Sequence, residues 1–124
     1  MANIKWKVLV SAPYMLPVIE RFDEFFSKHG IEYVKADVEE RLEESDLLDL
    51  IDGFDGIICG DDRITKRVID GAPKLKVISK WGTGIDSIDK EAANNKGIRV
   101  CRTLDAFTEP VCDSTLGYIL SFAR

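Results

Sequence analysis

Phe54-Asp-Gly-Ile-Ile-Cys-Gly60 is the stretch on which the fold turns. Its Gly-Ile-Ile-Cys-Gly run is too continuously apolar for a hairpin strand with one wet face, where apolar and polar side chains alternate. It reads as a strand buried on both faces, and such strands belong to parallel sheets whose crossovers are helices. Toward the N-terminus, residues 6–12 form a short apolar strand ending at Pro13. Val18, Ile19, Phe22, Phe25 and Phe26 then follow helical spacing, and Gly30 closes that helix. Residues 31–36 predict a second strand, and 39–51 a helix with Leu42, Leu47, Leu48 and Ile51 inward and Gly53 at its end. Toward the C-terminus, Ile64, Val68 and Ile69 mark a short helix at 65–71, and residues 75–79 a fourth strand. Asp89 is suited to N-cap a helix over 89–95, with Ile88 and Ala93 as its hydrophobic staple and Gly97 as its stop. Residues 98–101 are the fifth strand and 108–124 a terminal helix.

Five strands alternating with helices predict an α/β fold: a doubly wound, five-stranded parallel sheet with right-handed crossovers. The order 2-1-3-4-5 is chosen because it seats the first strand centrally. Ligands in such sheets bind beyond the carboxyl ends of the strands, which directs attention to residues 12–17, 60–64, 80–87 and 102–108.

Composition narrows the function classes. A chain of 124 residues is one domain by length, and 45% hydrophobic with 31% charged residues excludes bulk disorder. The net charge of -5, with Lys and Arg interspersed among Asp and Glu, argues against a nucleic-acid footprint. Three widely spaced cysteines, Cys59, Cys101 and Cys112, without a C-x-x-C, fit a reducing, cytoplasmic setting. Met1-Ala-Asn-Ile-Lys-Trp-Lys7 runs straight into a strand and does not read as a signal peptide, and no apolar run is long enough for a membrane span. With a single histidine and scattered carboxylates, no metal site is expected.

Lys80-Trp-Gly-Thr-Gly-Ile-Asp-Ser-Ile-Asp89 is the loop that most resembles chemistry. Gly82 and Gly84 either make a tight turn or allow a ligand close to the backbone, with the amides of Thr83 and Gly84 forming a nest for a carboxylate or phosphate. Lys80 adds positive charge there, opposed by Asp86 and Asp89. Ser87 stands where a Gly-x-Gly-x-x-Gly dinucleotide fingerprint needs its third glycine, so that motif is absent. Asp61 and Asp62 could hold a divalent cation, or Asp62 could cap the next helix and orient Arg63. The structural reading is preferred, because spacing places no further ligand. Ala12-Pro13-Tyr14 lacks the acidic pair of a response-regulator receiver, and Tyr14-Met-Leu-Pro17 lacks the phosphate loop of a flavin site. His29 reads as a helix-end residue, Arg63 as a surface ion-pair partner and Trp81 as edge packing. In the terminal helix, Val111, Cys112, Thr115, Leu116, Ile119, Leu120 and Ala123 share one face, and no C-cap follows. The expectation is that the partner of this stripe lies in sequence beyond residue 124, or that the helix self-associates.

Residues 72–100, together with Asp61-Asp-Arg-Ile-Thr65 and Thr108-Glu-Pro-Val-Cys-Asp-Ser-Thr-Leu-Gly117, closely resemble the D-isomer-specific 2-hydroxyacid dehydrogenases. That family includes phosphoglycerate dehydrogenases, glyoxylate and hydroxypyruvate reductases and D-lactate dehydrogenases. The resemblance implies a flavodoxin-like substrate domain over residues 1–107. Residues 108–124 would be an interdomain helix at the start of a Rossmann domain that binds NAD or NADP. It implies that the amides of Thr83 and Gly84 hold the carboxylate of a 2-hydroxy or 2-keto acid, and that Thr108 lies near the nicotinamide end of the cofactor. The family's catalytic Arg, Glu and His come from later sequence, as does its glycine-rich fingerprint, so no catalytic residue is assigned here and His29 is no substitute. The isolated chain is expected to be inactive and not to bind the cofactor tightly; its partner would be the Rossmann domain or a second copy. The competing reading is a non-catalytic βα domain that binds a small acid, or a protein through the terminal helix. The chain departs from the family pattern at Ser87 for Asn, at Arg102-Thr-Leu-Asp105 where the family often has Asn-Thr-Pro-Gly, and at Phe107 for Asn.

Overall fold

Short runs of β-branched and leucine side chains alternate with helical spacing, and the computed structural model, which describes residues 3–123, folds them as a doubly wound sheet. Met1, Ala2 and Arg124, the last expected in the terminal helix, lie outside the described residues. The strands are β1 (Trp6–Val10), β2 (Ile31–Lys35), β3 (Gly56–Cys59), β4 (Val77–Lys80) and β5 (Arg99–Cys101). All pair in parallel in the order β2-β1-β3-β4-β5, as the sequence predicts. The register sets Leu9 beside Ile57 and Ile57 beside Ile78, so one face carries a continuous apolar row. That row is buried under α2 (Glu44–Leu50), α3 (Lys66–Asp70) and α4 (Lys90–Asn95) through Leu47, Val68, Ile69 and Ala93. On the opposite face Val8 and Val10 pack with Ile19 and Phe26, from a 3₁₀ stretch (Leu16–Phe22) and α1 (Asp23–Lys28). Among the described residues no helix is long and apolar enough to cross a membrane.

Two elements depart from the periodicity. The first helix is split: a 3₁₀ stretch, with Pro17 in the opening turn where a missing N–H is tolerated, precedes α1. Gly30 ends it with φ +68°, where a Cβ would come within 2.6 Å of the Asn3 carbonyl oxygen. The second helix begins at Glu44 rather than residue 39. Leu42 is inward as predicted, but its N–H donates to Asp62 (2.6 Å) and its carbonyl accepts from Arg63 (3.0 Å). Those tertiary bonds use the groups a helical turn would need. Asp89 caps α4 as expected, accepting from the Ala92 N–H at 2.9 Å, and both staple residues, Ile88 and Ala93, are buried in the same cluster.

The terminal helix α5 (Thr108–Phe122) has no buried residue. The stripe predicted for it is left open, Val111 and Ile119 each being 60% exposed. The linker before it contains Asp105 at φ +59°, the only non-glycine residue with positive φ among the described residues. A left-handed backbone here explains why the resemblance expects glycine at this position.

Candidate functional site

The carboxyl ends of β1 and β3 and the loop before α2 converge on one buried carboxylate. Asp62 is fully buried and accepts from the Ser11 hydroxyl (2.6 Å), the Leu42 N–H (2.6 Å) and the Gly60 N–H (3.1 Å). Asp62 therefore does not cap the following helix or orient Arg63. Thr65 caps α3, accepting from the Val68 N–H, and Arg63 Nε lies 4.0 Å from Glu43 instead. Nor do Asp61 and Asp62 face a common point, since Asp61 is an exposed side chain paired with Lys80.

Lys80 also differs from its expected role. Its side chain is buried, and its ammonium donates to the Gly60 carbonyl (2.8 Å) and to Asp61. Its charge is matched by Asp61 before any ligand arrives. The Gly60 peptide is thus held from both sides, its N–H by Asp62 and its carbonyl by Lys80. A Cβ on Gly60 would approach the Pro13 ring at 2.9 Å, so this crossing of β1 and β3 requires glycine.

Beyond Lys80 the loop is clamped to the chain leaving β5. The Thr103 N–H donates to the Gly82 carbonyl at 2.8 Å, and the Thr83 hydroxyl donates to the Thr103 carbonyl at 2.7 Å. Gly82 has φ +145°, a conformation side chains resist, so the turn itself accounts for this glycine. Gly84 is different. Its φ is not positive, and a Cβ built on it would meet nothing within 4 Å. Neither Thr83 nor Gly84 uses its amide within the described residues. Two adjacent amides without acceptors, in a loop braced from below by Lys80 and from the side by Thr103, form an anion-sized donor pair. Trp81 packs edge-on against Phe22 at 6.4 Å, as edge packing predicts. Thr108 opens α5 and is exposed. His29 caps the C-terminus of α1 before β2, at the other end of the sheet, with its ring 4.5 Å from that of Phe25.

Two buried groups below the loop lack a role in it. Cys59 is fully buried; loss of solvent, and then the negative charge of Asp62, pushes its thiol up to about 12. The buried Ser87 hydroxyl has no hydrogen-bond partner among the described residues. Replacing the longer amide expected from the resemblance leaves a donor that cannot reach. Ser87→Ala is expected to stabilise the chain by about 0.5–1 kcal/mol, because an unmade buried hydrogen bond is removed. Urea unfolding would check it, and a loss of stability on that scale would mean that Ser87 is satisfied in solution.

The loop thus presents two amides without acceptors, and among the described residues the one histidine, His29, lies at the other end of the sheet. A family model described as D-isomer specific 2-hydroxyacid dehydrogenase, catalytic domain, matches residues 8–118. The chain is 33% identical over 121 residues to a D-3-phosphoglycerate dehydrogenase of Methanocaldococcus jannaschii, covering 95% of this chain and 21% of that relative. It is similar to the crystal structure of the TT0316 protein from Thermus thermophilus, with a TM-score of 0.78, 36% identity, and coverage of 95% of this chain and 37% of that one. The NAD+-bound 3-phosphoglycerate dehydrogenase of Entamoeba histolytica gives a TM-score of 0.70 and 30% identity, covering 80% of this chain and 33% of that one. The chain thus spans about a fifth of the length of the first curated relative it matches.

Proposed function

The chain belongs to the D-isomer specific 2-hydroxyacid dehydrogenase family, and on that premise we propose that it is the substrate-binding portion of an NAD(P)-dependent oxidoreductase. The reaction would interconvert a D-2-hydroxy acid and a 2-keto acid. Residues 1–107 form the substrate domain in this reading, and 108–124 the helix that leads into a nucleotide-binding domain. The amides of Thr83 and Gly84 receive the substrate carboxylate, and Thr108 stands toward the cofactor. The observation that carries the reading is Gly84: neither backbone conformation nor steric crowding requires a glycine there, whereas close approach of a ligand does.

The nicotinamide cofactor, NAD or NADP, would supply or accept the hydride. The residues of this chain do not fit a dinucleotide by themselves, since Ser87 replaces the third glycine of the fingerprint. What this chain contributes is orientation. Two backbone donors fix one end of the acid, and the Lys80–Gly60–Asp62 chain of bonds keeps those donors from moving. A cytoplasmic setting fits its three free cysteines, and a dimer fits the open face of α5.

The test is a titration of the ¹⁵N-labelled chain with glyoxylate and oxamate, with glyoxylamide as the uncharged control. Amide shifts should centre on Thr83 and Gly84 and saturate on the order of millimolar, the affinity of a few hydrogen bonds to a small anion. Shifts elsewhere, or equal responses to the uncharged amide, would overturn the assignment. The same sample should not oxidise NADH with glyoxylate or hydroxypyruvate.

A further inference from the structure

If the Thr83 and Gly84 amides fix one end of an acid, the charges around them decide what the other end can be. Gly82 opens the loop, and the point a Cβ would occupy on it lies 3.3 Å from Lys80 Cε. The Lys80 ammonium continues from there to Asp61, whose carboxylate therefore stands within about 8 Å of that point. The pair is lopsided. The Lys80 side chain is only 6% exposed and its ammonium also donates to the Gly60 carbonyl, whereas the Asp61 side chain is 78% exposed. An arriving molecule meets the negative end of the pair.

The neighbouring chain adds to that charge. The loop before α2 runs beside residues 61–63, joined to them by the Leu42 N–H on Asp62 and the Arg63 N–H on the Leu42 carbonyl. It carries Glu39 and Glu40, both exposed and neither in an ion pair among the described residues. The cations beside them are already engaged, Arg41 and Arg63 with Glu43 at 2.8 and 4.0 Å. Asp86, exposed in the carboxylate loop itself, is one more negative group. Arg102 is the exception, a cation with no ion pair among the described residues. It follows β5, two strands from β3, and lines a hollow with Lys90 and Val100 at that edge of the sheet. A three-carbon acid with a phosphate on its third carbon spans about 7 Å, enough to carry a second anionic group to this rim.

We propose that Asp61 sets the substrate class: the site takes 2-hydroxy and 2-keto acids whose one negative charge is the carboxylate, and its charge turns away phosphorylated and dicarboxylic acids. This rests on the reading that Thr83 and Gly84 receive the carboxylate. The test compares D-glycerate with D-3-phosphoglycerate, which differ only in the phosphoryl group, by titration of the ¹⁵N-labelled chain at constant ionic strength. Thr83 and Gly84 should respond to D-glycerate with a dissociation constant on the order of millimolar, and to the phosphorylated acid about tenfold more weakly. Asp61→Asn should tighten 3-phosphoglycerate about tenfold and move D-glycerate by less than about threefold, since a full phosphate charge is lost from the balance in one case only. Salt at about 0.5 M should narrow the gap in the parent chain, because exposed charges are screened. Silence at Thr83 and Gly84 with both acids would overturn the carboxylate reading and this proposal together. D-glycerate binding there, with 3-phosphoglycerate equal or tighter, would overturn this proposal alone; loss of that tighter binding in Arg102→Gln would place the phosphate at the β5 edge instead. A gap that neither Asp61→Asn nor salt changes would mean exclusion by shape and would also overturn it.

Discussion

Asp62→Ala is expected to lower the unfolding free energy by about 3–4 kcal/mol, most of what a small domain has to spare. Asp62 is fully buried and is the acceptor for three donors from three separate parts of the chain: Ser11, Leu42 and Gly60. Alanine would leave two backbone N–H groups buried without an acceptor, each costing about 1–3 kcal/mol, while Ser11 retains a weaker contact to the Ile58 carbonyl at 3.4 Å. Asp62→Asn should recover only part of the loss. Its amide nitrogen would face the N–H of either Leu42 or Gly60, donor against donor, whichever way the group is turned. The effect should also reach the proposed carboxylate loop. Once the Gly60 N–H is released, its carbonyl no longer holds Lys80 in place, and the loop after β4 loses its lower brace. Urea unfolding followed by tryptophan fluorescence gives the stability; the glyoxylate titration gives the loop. A shift below about 1 kcal/mol for Asp62→Ala would show that water reaches the pocket and the network is not sealed.

What could and could not be read beforehand follows the range of the interactions. The parallel sheet was legible because Gly-Ile-Ile-Cys-Gly demands cover on both faces; the order β2-β1-β3-β4-β5 was one choice among several doubly wound orders, made to seat β1 centrally, and the fold bears it out. Asp89 as a cap was legible because its partner, Ala92, is three residues away. The start of α2 was not, since Leu42 is held in the loop by a carboxylate twenty residues later. Asp62 was visible as half of an acidic pair, but its link to Ser11 spans fifty-one residues and leaves no periodic trace. The partners of Lys80 were hidden for the same reason: its positive charge beside the loop was legible, but not that the fold turns its ammonium to Gly60 and Asp61. The distinction between Gly82, which the turn requires, and Gly84, which it does not, needs backbone angles that two identical letters cannot carry.

Alkali above about pH 9 should loosen this fold, and Cys59 should be the cause. Its thiol has no exposed surface, and burial first, then the charge of Asp62, raises it from an ordinary 9.0 to about 12, with Lys80 pulling weakly the other way. In the unfolded chain the thiol ionises near its ordinary value, whereas the folded chain keeps the proton until about 12. Between those limits the folded state binds more protons, so stability is fully present below about pH 9 and falls as pH rises. Each pH unit removes about 1.4 kcal/mol, giving a loss of about 2–3 kcal/mol by about pH 11. Tyr33, raised to about 12 chiefly by its hydrogen bond to Asp23, acts in the same direction but begins to matter only above its ordinary 10.0. Cys59→Ala separates the two. It should cost about 1 kcal/mol at neutral pH through lost packing, yet flatten the fall between about pH 9 and 10, where Tyr33 is still silent. Equal slopes in the parent and the variant across that interval would exclude Cys59 as the cause. The same chemistry bears on function. A thiol that stays protonated is neither a nucleophile nor a metal ligand, so the end of β3 serves the loop above it by packing, and the exposed Cys112 should react with an alkylating reagent long before Cys59 does.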